Sequence, residues 1–218
     1  MSIRINDIAP DFTVESTAGK LNLHQWIGSG YAILFSHPKD FTPVCTTEFG
    51  AVAQLAPEFA KRNTKVLGVS VDNVEEHKKW KRDIESFAGS PADFPIIDDT
   101  SLHVSKLYDM LPADAYLPDG RTPADSATVR TVFIIGPDKK VRLTMSYPMS
   151  VGRNFAEILR ALDAVQATDG VPIATPANWV PGQDVIVALS LNDAQAKEKF
   201  GEIDVKLPYR LFAKAPKK

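Results

Sequence analysis

A second cysteine is missing from this chain, and that absence governs how the one present must be read. Cys45 stands alone among 218 residues, so no disulfide forms within one chain and no internal thiol answers chemistry at its sulfur. A single unpaired thiol fits a reducing compartment, and the cytoplasm is the expected location. No run approaches the ~20 apolar residues of a membrane-spanning helix. The start, Met1-Ser2-Ile3-Arg4-Ile5-Asn6-Asp7, lacks the apolar stretch of a secretory leader, so no membrane association is expected. Charge of one sign is scarce too: the formal net charge is -2, which suggests neither nucleic acid nor an anionic membrane as a general partner. Internal repeats and low-complexity tracts are absent. Paired metal-ligand spacing is also absent, so Cys45 and the scattered His24, His77 and His103 are expected to hold no metal, and the three histidines take a structural reading.

What is present suffices for a large core and a soluble surface, with 44% apolar and 24% charged residues. Short apolar runs alternate with amphipathic stretches, which predicts an α/β domain. Strands are expected at Tyr31–Ser36, Lys65–Val71, Phe94–Ile97, Val129–Ile135 and Lys140–Ser146. Gly136-Pro137-Asp138-Lys139 joins the last two as a hairpin. Helical patterns cover Val44–Arg62, Val74–Phe87, Ser101–Tyr108 and Arg153–Gln166. The last places Phe155, Ile158, Leu159, Leu162 and Val165 on one stripe. Crossovers after Phe35 and Val71 imply parallel strands, and the late hairpin adds an antiparallel pair, a pattern compatible with a thioredoxin-like sheet.

The texture changes after Gly170. Pro172, Pro176 and Pro181 mark an extended arm, followed by a strand candidate at Asp184–Leu189 and a helix candidate at Asn192–Phe200. The division expected is a main domain over residues 1–168 and a small extension over 169–218. The extension is too short for a core of its own, with Trp179, Val180, Ile186 and Phe200 as the side chains to bury. The basic tail after Lys206 reads as a solvated end.

Cys45 lies in Pro38-Lys39-Asp40-Phe41-Thr42-Pro43-Val44-Cys45-Thr46-Thr47-Glu48, in the first turn of the expected helix. First-turn N–H groups have no internal carbonyl partner, and the peptide dipoles add partial positive charge there. A sulfur in that turn is biased toward thiolate, the form that attacks. A helix terminus contributes only about 0.3–1 kcal/mol, or about 2 kcal/mol when partly buried, so a cation must also approach.

The string Pro38-x-x-x-Thr42-x-x-Cys45 resembles the active-site signature of peroxiredoxins, and His37 through Glu48 is similar to the one-cysteine, peroxiredoxin-6-like branch. The likeness continues through Ser70–His77, Gly136–Lys140, Gly152–Arg160 and the tail containing Trp179, so it covers nearly the whole chain. It implies a thioredoxin-like fold with a C-terminal dimerisation arm, and a thiol peroxidase in which Cys45 attacks hydrogen peroxide or an organic hydroperoxide. Thr42 would donate its hydroxyl hydrogen to a peroxide oxygen while accepting from the backbone, and Pro38 would shield the sulfenic acid. Arg130 opens a strand of apolar residues, where a guanidinium is costly without an anion, and it matches the family's active-site arginine. At ~4 Å and an effective dielectric of ~20, one such charge gives about 4 kcal/mol before desolvation. Arg153 matches a second supporting arginine, Glu48 would orient an arginine, and His37 would lie near the cysteine. With no second thiol, the sulfenic acid needs an external reductant: glutathione, a thioredoxin-type protein or another thiol. No cofactor is expected, and the resemblance implies a homo-oligomer, either a dimer or a ring of dimers.

Two other readings compete. Some members of the branch carry a phospholipase serine, but here Gly30 takes its place and Ser29 falls one residue early, with His24 and Asp138 where the partners would stand. The other is a thioredoxin-like binding module or holdase, which needs neither Thr42 nor Arg130 around the sulfur.

Overall fold

A computed structural model describes residues 3–115, 117, 119, 125–207 and 210–214. Two compact units divide the chain after Phe155. Phe155, the first residue of the Phe155–Thr168 helix, closes the first unit, and the rest of that helix lies in the second.

The first unit is built on a five-stranded sheet in the order Ile96–Asp98, Thr64–Ser70, Tyr31–Ser36, Arg130–Ile135, Val141–Tyr147. The first three strands run parallel, with Ser36 opposite Val69 and Ser70 opposite Asp98. The last two are antiparallel, with Phe35 opposite Val132 and Arg130 opposite Tyr147. Each expected strand is present within two residues at either end, because each is a β-branched or aromatic run bounded by turn residues. The crossover helix Pro43–Lys61 starts with Pro at its first position and Thr42 at the cap position. The next helix, Val74–Ala88, is capped by Asn73, whose side chain accepts the Glu76 N–H, and closes on Gly89 in the left-handed conformation.

Alternation along the strands sorts the core into two faces. Leu34, Leu67 and Phe133 sit side by side in register and join a cluster with Phe12, Ile27, Val104, Tyr108 and Val141. Phe35 points the other way and meets Phe49 of the cysteine-bearing helix at 4.9 Å between ring centroids. Gly68 permits this approach: a Cβ there would lie 3.0 Å from the tip of Phe49.

The second unit carries the Phe155–Thr168 helix from Ala156 onward and a four-stranded antiparallel sheet in the order Asp204–Leu207, Arg210–Lys214, Asp184–Val187, Ile173–Ala174. Phe155, Ile158 and Leu162 are buried, and Leu159 and Val165 partly so, as the helical stripe predicts. Trp179 is buried beside Ile173 and Val185, and its indole N–H donates to the Gln183 carbonyl at 3.0 Å. Ile186 and Phe200 are half-buried, whereas Val180 is exposed at 43% and does not join that core. The tail also differs from expectation. Arg210–Lys214 pairs with Asp184–Val187 on one side and Asp204–Leu207 on the other, in a strand that its basic composition conceals.

A close contact at the sheet's entry gives a test. A Cβ on Gly30 would stand 2.5 Å from the Asn63 carbonyl oxygen, a backbone atom held by the Tyr31 N–H. Gly30→Ser is expected to cost about 1–3 kcal/mol, as overpacking does. An unchanged urea midpoint would show that the Asn63 turn yields freely.

Candidate active site

The helix carrying Cys45 places the sulfur in its first turn. Thr46 is the first residue whose N–H bonds back, to the Thr42 carbonyl at 3.0 Å, so the Val44 and Cys45 N–H groups precede the helical ladder. Cys45 is fully buried. Arg130, the first residue of its strand, projects Nη1 to 3.3 Å from Cys45 Sγ.

That guanidinium is held from several sides. Its Nη1 also donates to Glu48 Oε2 at 2.7 Å, and Nε and Nη2 both donate to the Met149 carbonyl, at 2.9 and 2.7 Å. Glu48 lies one turn past Cys45 on the same helix and serves a second arginine too. Arg153 gives it the backbone N–H at 2.8 Å, Nε at 2.9 Å and Nη2 at 2.7 Å. The Arg153 guanidinium lies over the rings of Phe35 and Phe155, at 5.1 and 5.4 Å. Burial opposes ionisation of Glu48, yet the hydrogen bonds and charge of Arg153, with Arg130 behind them, hold its carboxyl below the usual carboxylate range. Cys45, Arg130, Glu48 and Arg153 thus form one cluster, each 7% exposed or less.

Thr42 takes the N-cap position but does not cap. Phe41 before it has φ +55°, a left-handed conformation that a bulky residue rarely adopts, and the turned chain points the Thr42 hydroxyl back at the Lys39 carbonyl, 3.0 Å away. Its hydrogen is therefore already donated, and its oxygen lone pairs remain. Pro38, in the same loop, is buried. His37 is buried as well and bonds to Asp40, not to the arginine cluster: its Nε2 lies 2.7 Å from Asp40 Oδ1, and its ring stacks on Trp80 at 4.9 Å.

Two residues emerge here that sequence reasoning passed over. His77, expected to be only structural, reaches the other oxygen of Asp40 at 2.6 Å. Donor atoms of His37, Asp40 and His77 lie within 4.8 Å of one another, a grouping unseen in the sequence because no short ligand spacing announces it. Burial lowers the His37 pKa, and Asp40 only partly offsets this. For His77, burial pulls the same way, but the Asp40 hydrogen bond and charge win and raise it. Burial would raise Asp40, and the two histidines reverse that and lower it. The lipase alternative gains no support from its partners: the His24 ring bonds to the Ala9 carbonyl at 2.7 Å, and Asp138 pairs with Arg142 at 3.0 Å.

A cysteine sulfur at a helix mouth, met by a buried guanidinium on a thioredoxin-like sheet, defines a thiol peroxidase of the peroxiredoxin kind. The comparisons agree. Residues 5–144 match the AhpC/TSA family, and residues 164–202 match the C-terminal domain of 1-Cys peroxiredoxin. The yeast (Saccharomyces cerevisiae) mitochondrial peroxiredoxin PRX1 is 48% identical over 98% of this chain and 81% of its own length. Peroxiredoxin-6 of Mus musculus is 46% identical over 90% of this chain and 88% of its own. A crystal structure of a cysteine-to-serine mutant of Arenicola marina peroxiredoxin 6 superposes with a TM-score of 0.92 at 40% identity, covering 100% of both chains. The chain belongs to the AhpC/TSA family, in its one-cysteine peroxiredoxin branch, and is a peroxidase that works through a single cysteine and an external thiol. Among the described residues, no helix is long and apolar enough to cross a membrane.

Two outcomes follow from these charges. Glu48→Gln leaves two buried guanidiniums without their anion and should cost about 3–5 kcal/mol in urea unfolding, as breaking a buried pair does; a loss under 1 kcal/mol would place the stabilisation elsewhere. The histidines act in opposite directions on stability. Below about pH 6.5 the unfolded chain takes up a proton on His37 that the folded chain refuses, so acid destabilises. Above about pH 6.5 the unfolded chain sheds the His77 proton that the folded chain keeps, and this stabilisation is lost as pH rises through the folded value. The pair should contribute most near pH 6.5. His77→Gln should remove its alkaline decline in the unfolding midpoint while the acid side stays; identical alkaline slopes in both proteins would refute this.

Proposed function

We propose that Cys45 is the peroxidatic nucleophile toward hydrogen peroxide and organic hydroperoxides, with Arg130 and Thr42 acting directly on the substrate. The observation that carries this is the 3.3 Å contact from Arg130 Nη1 to Cys45 Sγ within a cluster of two buried arginines and one buried carboxylate. Two cations against one anion leave a positive charge for which a cysteine thiolate is the natural partner.

In the reaction the sulfur lone pair attacks the proximal peroxide oxygen, the O–O bond breaks, and the distal oxygen departs as hydroxide or alkoxide to be protonated to water or alcohol. Charge moves from sulfur to the leaving oxygen, so a fixed guanidinium and the free first-turn N–H groups stabilise the transition state more than the ground state. Thr42, its own hydrogen held by Lys39, accepts the hydrogen of the incoming hydroperoxide and aligns the O–O axis with the sulfur. Glu48, Arg153 and the Met149 carbonyl hold Arg130 in place. Pro38, buried in the loop before Thr42, shields the sulfenic acid from water.

The sulfenic acid then meets an external thiol, forming a mixed disulfide and releasing water; a second thiolate restores Cys45 and leaves as the oxidised disulfide. Glutathione or a thioredoxin-type protein is the proposed reductant. In support, a structure concerning thiol resolution in yeast mitochondrial 1-Cys peroxiredoxin via glutathione/thioredoxin systems superposes with a TM-score of 0.86 at 47% identity, over 97% of this chain and 99% of that one. No cofactor or metal is required by these steps. Action in the cytoplasm as a homo-oligomer, a dimer or a ring of dimers, completes the proposal.

Cys45→Ser should abolish peroxide consumption, and Arg130→Gln should slow oxidation of Cys45 by about 100- to 1,000-fold. Repeated turnover should require glutathione or thioredoxin. Unchanged consumption in the serine variant would overturn the assignment.

A further inference from the structure

Asp40 lies in the loop leading to the cysteine helix and is 2% exposed. Its carboxylate takes a different histidine on each oxygen: His37 Nε2 at 2.7 Å on Oδ1 and His77 Nδ1 at 2.6 Å on Oδ2. Its backbone N–H donates to Asp72 Oδ2 at 2.8 Å, which also accepts from the Ser70 hydroxyl at 2.9 Å. His77 is tied at its far end, where Nε2 lies 2.9 Å from the Ile97 carbonyl.

Donor and acceptor roles decide the charges. A carboxylate and a carbonyl both accept, so both ring nitrogens of His77 must donate, and the ring is an imidazolium paired with Asp40. His37 Nε2 must likewise donate to Asp40. His37 Nδ1 is buried with no hydrogen-bond partner among the described residues, so an N–H there would be an orphaned donor on a buried cation. His37 is thus the tautomer with hydrogen on Nε2 and a bare lone pair on Nδ1.

A second route leads from the same helix to the reacting sulfur. Trp80, three residues after His77, stacks on His37 at 4.9 Å, and its indole N–H donates to Thr46 Oγ1 at 3.1 Å, beside Cys45. The Val74–Ala88 helix therefore grips both the loop before Thr42 and the turn that holds Cys45. We propose that His77 and Asp40 are positioning residues for the peroxidase reaction: they anchor the His37–Thr42 loop against the cysteine helix and dictate which nitrogen of His37 carries its hydrogen. This rests on the peroxidase reading of Cys45. Loss of the His77 proton strips a donor from Asp40 or from Ile97 and loosens the loop that presents Thr42 to the peroxide. The ionisable groups facing this pair are His37 from the strand end and Asp72 from the loop after Ser70.

The test is stopped-flow oxidation of the reduced full-length protein by hydrogen peroxide from pH 5 to pH 9, in wild type, His77→Gln, Asp40→Asn and the double variant, with thermal unfolding run alongside. Each single variant should react about 10- to 100-fold more slowly at pH 7, and the double no more slowly than the worse single, since the two act as one unit. The alkaline fall of the wild-type rate that comes from this pair should vanish in His77→Gln. Nitrogen-15 NMR of wild-type histidines should show His77 as an imidazolium at pH 7 and His37 with hydrogen on Nε2. Folded variants with the wild-type rate and pH profile would overturn the proposal, as would a neutral His77 in the NMR, which decides even where a variant fails to fold. A wild-type Cys45 inert to peroxide would instead defeat the peroxidase reading.

Discussion

The Glu48 carboxylate, shared between two buried arginines, is the interaction on which the active site depends. Removing a guanidinium from water costs several kcal/mol, and two side by side repel. One carboxylate placed between them, receiving three side-chain N–H donors and one backbone N–H, makes the pair tolerable without cancelling it. The surplus positive charge is directed at Cys45. A helix terminus alone is too weak for this task, and a lone arginine with its counter-ion would be neutral. Two arginines with a single counter-ion supply both the field and the fixed geometry.

The sheet supplies the coordinates for that arrangement. Phe35 and the missing side chain at Gly68 let Phe49 lie close against the strands, on the helix bearing both Cys45 and Glu48. The hairpin from Arg130 to Tyr147 brings the guanidinium in from the antiparallel side, and the Met149 carbonyl beyond it catches two of its nitrogens. A plain thioredoxin-like binding module would need the strands and the helix, but no ionic cluster of this kind in its interior.

Much of this was legible in the chain. The parallel strands followed from crossovers after Phe35 and Val71, the antiparallel pair from Gly136-Pro137-Asp138-Lys139, and the approach of Arg130 to Cys45 from an anion in need of a cation and a strand arginine in need of an anion. Other features were hidden for physical reasons. The Thr42 hydroxyl direction depends on a left-handed Phe41, which nothing in a bulky aromatic residue announces. Asp40 and His77 are far apart in sequence, and either alone reads as an ordinary structural residue. The Arg210–Lys214 strand was masked by its lysines and arginine, whose charge suggests solvent while its alternation fits a sheet.

The complete enclosure of Cys45 has a consequence for traffic. The peroxide and the external thiol must both touch the same enclosed atom, one after the other. With the sulfur fully covered at rest, each approach requires the side chains around residue 45 to part. Every turnover therefore draws on local opening of the packing around one atom.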